Sequence, residues 1–163
     1  RVMTRVFVPL ANGFEEIEAI TIIDLLRRAE IEVITVGVEG ALATGNHGIT
    51  VTCDTTLNAL SGDFDMVALP GGMPGAETLK ESAALKGWLV EMVAQGKYIA
   101  AICAAPMALA AAGLLNGKKA TSFPSFLDPY DDVQQTGAYV EQDGRIITAR
   151  GPGAAMDFGL KLI

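Results

Sequence analysis

Apolar positions along the chain fall into two alternating rhythms. Short, nearly continuous apolar runs recur at Arg5-Val-Phe-Val-Pro-Leu10, Glu32-Val-Ile-Thr-Val-Gly-Val38, Asp65-Met-Val-Ala-Leu-Pro70 and Tyr98-Ile-Ala-Ala-Ile102. Runs of this length, rich in Val and Ile, read as strands buried on both faces. Between them, apolar residues three and four apart predict helices from about Glu15 to Ala29, Ala76 to Lys80 and Ser82 to Gln95. From Gly45 to Cys53 the pattern alternates, with Ile49, Val51 and Cys53 apolar, which suits a half-exposed strand or hairpin. Tyr139 to Glu141 and Arg145 to Ala149 flank Asp143-Gly144, a tight-hairpin signal, and Gly151-Pro-Gly153 opens a last helix from about Ala154. Strands alternating with helices predict a single α/β domain over residues 1–163, with a mostly parallel sheet covered on both faces.

Composition narrows the function classes. Half of the 163 residues are apolar, enough for one sizeable core. No apolar run approaches the roughly 18 residues of a membrane span, and no leader-like pattern opens the chain, so a cytoplasmic protein without a membrane partner is expected. Lys and Arg number 12 against 19 Asp and Glu, a formal charge of −7, and no basic cluster stands out. Nucleic acid is therefore not expected as a partner. Two cysteines without a C-x-x-C spacing suggest neither a disulfide framework nor zinc, and no metal or cofactor is expected.

In α/β sheets, sites form beyond the carboxyl ends of the strands. Three strand ends carry unusual residues: Asn12 to Glu18, Pro70 to Gly75, and Cys103 to Pro106. Cys103 ends an apolar run just before an alanine-rich helix pattern with Pro106 early and Gly113 late. A thiol on such an elbow meets free backbone N–H groups and a positive helix end, which favour the reactive thiolate. Burial as an inert small hydrophobe is the plainer reading. Glu18 shares a helical stripe with Ile22, Leu25 and Ala29. A carboxyl facing the core has a raised pKa and can shuttle a proton to a thiol, whereas Glu15 and Glu16 read as first-turn acids.

The Gly71-Gly72 pair permits close backbone approach, and its N–H groups, with that of Ala104, could hold an oxyanion. It is no phosphate loop, because neither G-x-G-x-x-G nor G-x-x-x-x-G-K-[ST] occurs. His47, the only histidine, lies in the turn-like Thr44-Gly-Asn-His-Gly48 and reads as a surface residue, with a contact across subunits as the minority reading. Asp24 and Arg28, four apart, read as an exposed or interface ion pair, and Cys53 reads as packing.

Gly13-Phe-Glu-Glu-Ile-Glu18-Ala, Asp24-Leu-Leu-Arg-Arg28-Ala, Leu69-Pro-Gly-Gly72, Ala100-Ala-Ile-Cys103-Ala-Ala-Pro106 and Arg150-Gly-Pro-Gly153 occur in this order. Together they resemble the ThiJ/PfpI superfamily, on the branch of the parkinsonism-associated protein deglycase and bacterial YajL. The resemblance covers essentially the whole chain. It implies a flavodoxin-like three-layer sandwich, a homodimer, and a further helix and tail beyond Ile163.

By the same resemblance Cys103 is the oxidisable nucleophile, Glu18 the carboxyl that hydrogen-bonds it, and Gly72 and Ala104 the backbone donors. Gly71, Phe123 and Pro124 line the pocket. Phe123, in Thr121-Ser-Phe-Pro124, stands where other members carry a histidine, and Ala104 stands where PfpI-type proteases place one. Protease chemistry is disfavoured accordingly, and no histidine follows Cys103 to serve a glutamine amidotransferase. The resemblance implies a hydrolase or lyase: a glyoxalase or protein deglycase acting on a small aldehyde such as methylglyoxal, or on glycated protein, without metal or glutathione. A redox-sensing chaperone whose Cys103 is oxidised without turnover is the alternative.

Overall fold

A computed structural model of the chain describes residues 4–163. The elements run β1 (Arg5–Leu10), α1 (Glu16–Arg28), β2 (Glu32–Gly37), β3 (Leu42–Thr44), β4 (Thr50–Thr52), β5 (Thr55–Thr56), β6 (Met66–Leu69), α2 (Gly75–Glu81) and α3 (Ala83–Ala94). They continue with β7 (Tyr98–Ile102), α4 (Pro106–Ala111), β8 (Lys119–Ala120), β9 (Gln134–Gln135), β10 (Val140–Asp143), β11 (Ile146–Ala149) and α5 (Ala155–Leu162). The main sheet has the order β10-β11-β7-β6-β1-β2-β5, and every neighbouring pair in it is parallel except the β10–β11 hairpin. This is the expected flavodoxin-like sandwich. β3 and β4 form a separate antiparallel hairpin over Gly45 to Gly48.

Side-chain alternation along β1 explains the layers. Val6, Val8 and Leu10 pack with Ala19, Ile22 and Leu26 of α1 and Phe158 and Leu162 of α5. Phe7 points the other way, into a core with Leu79 of α2, Leu85, Leu89 and Met92 of α3, and Leu109 of α4. Both faces of the strand are dry, which is why its sequence reads as a continuous apolar run. Each fully buried Leu, Ile or Phe contributes about 1.5–3 kcal/mol, so burial rather than helix propensity holds these short helices. Among the described residues no helix is long and apolar enough to cross a membrane.

The stripe expected on α1 is displaced. Glu18 and Ile22 are buried, but Leu25 is half-buried and Ala29 exposed, and the core face runs through Ala19, Ile22, Ile23 and Leu26. Leu25 instead lies against Gly159 of α5, whose missing side chain makes room for it. Ile17 and Ile20 stay exposed.

Candidate active site

β1 is the switch point of the sheet: the chain adds β2 on one side and then crosses to place β6 on the other. Crevices open at such points beyond the strand ends. The segments after β1, β6 and β7 do converge there, as their chemistry suggests.

Cys103 follows β7 directly and has φ +66°. A left-handed backbone costs a residue with a Cβ about 1–2 kcal/mol, so something must hold it. Two bonds do: Cys103 N–H donates to Ala149 O at 2.9 Å, and Phe123 N–H donates to Cys103 O at 2.8 Å. The side chain is thereby turned out of the sheet, half-buried, with the N–H groups of Ala104 and Gly72 directed at the sulfur. Pro106 begins α4, as the elbow reading expects.

Glu18 reaches the same point from the first turn of α1 and is completely buried. Its Oε1 accepts the Gly71 N–H at 2.9 Å. Oε2 has no hydrogen-bond partner, and the carboxyl interacts with the nearby Cys103 thiol. Gly71 N–H is thus committed to Glu18 and is not free for an oxyanion, which leaves Gly72 and Ala104 as the donors. Gly72 has φ +96°, and a Cβ there would collide with the Glu15 backbone nitrogen. Both glycines are required by close approach.

Burial pushes the Glu18 carboxyl up to about 7, although the Gly71 N–H and the Cys103 thiol favour its charged form. The elbow alone predicts a thiol poised toward thiolate, and the folded chain corrects this. Burial first, then the charge and hydrogen bond of Glu18, push Cys103 up to about 12, and the N–H groups of Ala104 and Gly72 only partly offset them. Taken as a pair, the two groups hold two protons below about pH 7 and one above it, Glu18 releasing first and the thiol staying protonated.

A cavity of about 230 Å³ lies beside Phe123, whose N–H bonds Cys103 O, and is lined by Phe123, Pro124, Tyr139, Arg150 and the Gly151–Ala154 turn; Cys103 itself does not line it. Of the three expected pocket residues it contains Phe123 and Pro124 but not Gly71, which is packed between Cys103 and Glu18, and it adds Arg150 and Tyr139. The remaining candidates lie elsewhere. Asp24 and Arg28 form an exposed ion pair at 2.9 Å within α1. Cys53 is buried, and burial raises its thiol, with Asp54 adding to the shift.

His47 is exposed, as read, but its ring Nδ1 sits 3.1 Å from Glu16 Oε1. Glu16 itself is buried and accepts the N–H groups of His47, at 2.9 Å, and Ile49, at 3.2 Å. A first-turn acid therefore anchors the β3–β4 hairpin, a role no local signal announces because the partners lie 31 and 33 residues away. Glu15, Glu16 and His47 make up the cluster of potential metal ligands found among the described residues.

Sequence and structure comparisons agree with this fold. The chain is 40% identical over 163 residues to protein DJ-1 homolog A of Arabidopsis thaliana, covering 97% of this chain and 42% of that protein. It thus spans less than half the length of that relative. A Pyrococcus abyssi protein named a deglycase is 34% identical over 153 residues, with 91% of each chain covered. The structure of oxidized DJ-1 from Toxoplasma gondii superposes with a TM-score of 0.94 at 43% identity, covering 98% of this chain and 89% of that one. The model of the DJ-1/PfpI family matches residues 4–163, and with the sheet order and the Cys103 elbow already in place, the chain belongs to that family.

Proposed function

We propose that the chain is a cysteine-dependent glyoxalase or protein deglycase that acts on methylglyoxal, glyoxal or their protein adducts in defence against carbonyl stress. The observation that carries this reading is the buried Glu18 carboxyl against the Cys103 thiol, with two backbone N–H groups aimed at the sulfur. The name of the Pyrococcus abyssi relative supports it.

In this reading Glu18 carboxylate takes the thiol proton as the sulfur bonds to the aldehyde carbon. Gly72 and Ala104 N–H groups hold the alkoxide until Glu18 returns the proton. Glu18 then removes the C–H proton of the former aldehyde carbon and delivers it to the neighbouring carbonyl carbon through an enediol. The aldehyde carbon is oxidised to a thioester and the ketone carbon reduced to an alcohol, so no outside oxidant is needed. Water cleaves the thioester, releasing lactate and the thiol.

Lactate formation from methylglyoxal should be measured for the wild type, Cys103→Ser and Glu18→Gln. The reading expects one lactate per methylglyoxal consumed and loss of turnover in both variants. Turnover that survives Cys103→Ser would falsify it.

The oxidized state of the Toxoplasma gondii relative favours a second reading, in which peroxide oxidises Cys103 and the protein acts as a redox-regulated chaperone. Each peroxide would transfer one oxygen to sulfur and leave as water. Stoichiometric oxidation of Cys103 by peroxide, seen by mass spectrometry in protein that makes no lactate, selects this reading.

A further inference from the structure

We infer that Glu15, Glu16 and His47 form a binding site for a divalent transition-metal ion of the zinc class, separate from the Cys103 thiol. One ligand atom from each residue lies within 4.8 Å of the other two. His47 Nδ1 is 3.1 Å from Glu16 Oε1 and 3.8 Å from Glu15 Oε1. Ligands held at about 2.0–2.1 Å in a tetrahedral shell stand about 3.3 Å apart. The two observed edges bracket that spacing.

The frame around these ligands is stiff. Asn46 N–H donates to Phe14 O and Gly13 N–H to Thr44 O, both at 2.8 Å, which locks the start of α1 to the hairpin that carries His47. The Glu16 carboxylate is further held by the His47 and Ile49 N–H groups, and Gly45 lacks a side chain where a Cβ would collide with Glu16. The ligands are therefore placed before any ion arrives.

Charge points the same way. The side chains of Glu15 and Glu16 are only 12% and 7% exposed, and among the described residues no Lys or Arg reaches either one. Backbone N–H groups are the fixed donors to these carboxylates, Ile17 to Glu15 Oε1 at 3.2 Å and His47 and Ile49 to Glu16, so a bound cation would supply the full positive charge that the frame lacks. His47, at 68% side-chain exposure, offers its ring nitrogen from the solvent side. Two carboxylates and one imidazole, with a further position open to water, suit first-row divalent ions. Cysteine spacing gave no hint of this, because the donors are oxygen and nitrogen. Glu15 N–H also donates to Gly71 O at 2.8 Å, so the site adjoins the glycine turn beside Cys103 without using the thiol.

His47 is the only histidine, so its imidazole signals in a proton NMR spectrum are unambiguous. Zn²⁺ should be titrated into the full chain carrying Cys103→Ser, which removes the competing thiol. The expected result is a shift of the His47 signals that saturates at one equivalent. By calorimetry, His47→Ala and Glu15→Gln should each weaken binding at least about tenfold. Glu16 anchors the hairpin and its variants risk unfolding, so the test rests on His47, whose side chain is exposed. His47 signals unmoved by excess Zn²⁺ would overturn the site, as would Zn²⁺ affinity unchanged by His47→Ala.

Discussion

Gly71 packs against Cys103 so closely that a Cβ on the glycine would stand 2.6 Å from the cysteine Cβ. The same atom would lie 2.7 Å from both Glu18 Oε1 and Ile102 O. The bare backbone at the end of β6 is what lets β7 and α1 bring thiol and carboxyl together.

Gly71→Ala should therefore damage the site more than the fold. Ile102 O belongs to a central strand and cannot yield, so Cys103 or Glu18 must move. Overpacking of this kind costs about 1–3 kcal/mol, while a displacement of about 1 Å costs on the order of a hundredfold in rate. Lactate formation and thermal unfolding of the variant would be compared with wild type. Wild-type turnover would show that the contact does not govern the chemistry.

Glu18→Gln should stabilise the protein while disabling it. The folded pKa of Glu18 is above the unfolded value, so folding favours its protonated form. Below about pH 4.5 both states are protonated and the group costs nothing; the penalty grows as pH rises and is complete above about 7. Raising a carboxyl from 4.5 to about 7 corresponds to about 3 kcal/mol. Gln keeps an acceptor for Gly71 N–H and cannot ionise. Urea unfolding should find the variant more stable at pH 8 and equal at pH 4, with turnover at least about a hundredfold lower.

Glu16→Gln should act in the opposite direction. Burial opposes the Glu16 charge, but the N–H groups of Ile49, Glu16 itself and His47, with the His47 ring, outweigh it and hold the carboxyl below its usual range. A depressed pKa adds stability above the unfolded value, and that stability is lost as pH falls through the folded one. The variant should lose about 2 kcal/mol at pH 7, with the deficit shrinking in acid. Protease cleavage between residues 45 and 49 should quicken, and an unchanged cleavage rate would show that Glu16 does not hold the hairpin.

Glu30→Gly should raise stability without touching the site. Glu30 has φ +63° just past α1, where its N–H donates to Arg27 O and Ile31 N–H donates to Leu26 O, both at 3.0 Å. That double bond pattern ends helices most comfortably with glycine. Relief of the left-handed strain should contribute about 1 kcal/mol, or about 2–4 °C in melting temperature. A lower melting temperature would mean that the Glu30 side chain stabilises the turn.

Cys103 was legible because its signal is local: an apolar run, a thiol and Pro106 lie within nine residues, Tyr98 to Pro106. Glu18 was legible as a carboxyl facing inward, although the stripe assigned to it included Ala29, which is exposed. Glu16 was not, since its partners come from a hairpin more than 30 residues on and its sequence context is an ordinary helix start. The positive φ of Cys103 was hidden too, because it depends on bonds from Ala149 and Phe123.

The sequence by itself determined the order of the main strands and helices, the parallel sheet and the place of Cys103 at a strand-to-helix elbow, because hydrophobic period, prolines and glycines act over a few neighbours. Tertiary structure decided which charges lose their water. The thiol read as lowered by its helix end is raised once the fold buries it against Glu18, and the protonation of two groups 85 positions apart cannot be assigned from either alone (103 − 18). Desolvation depends on every atom packed around a group, and only the folded chain assembles them.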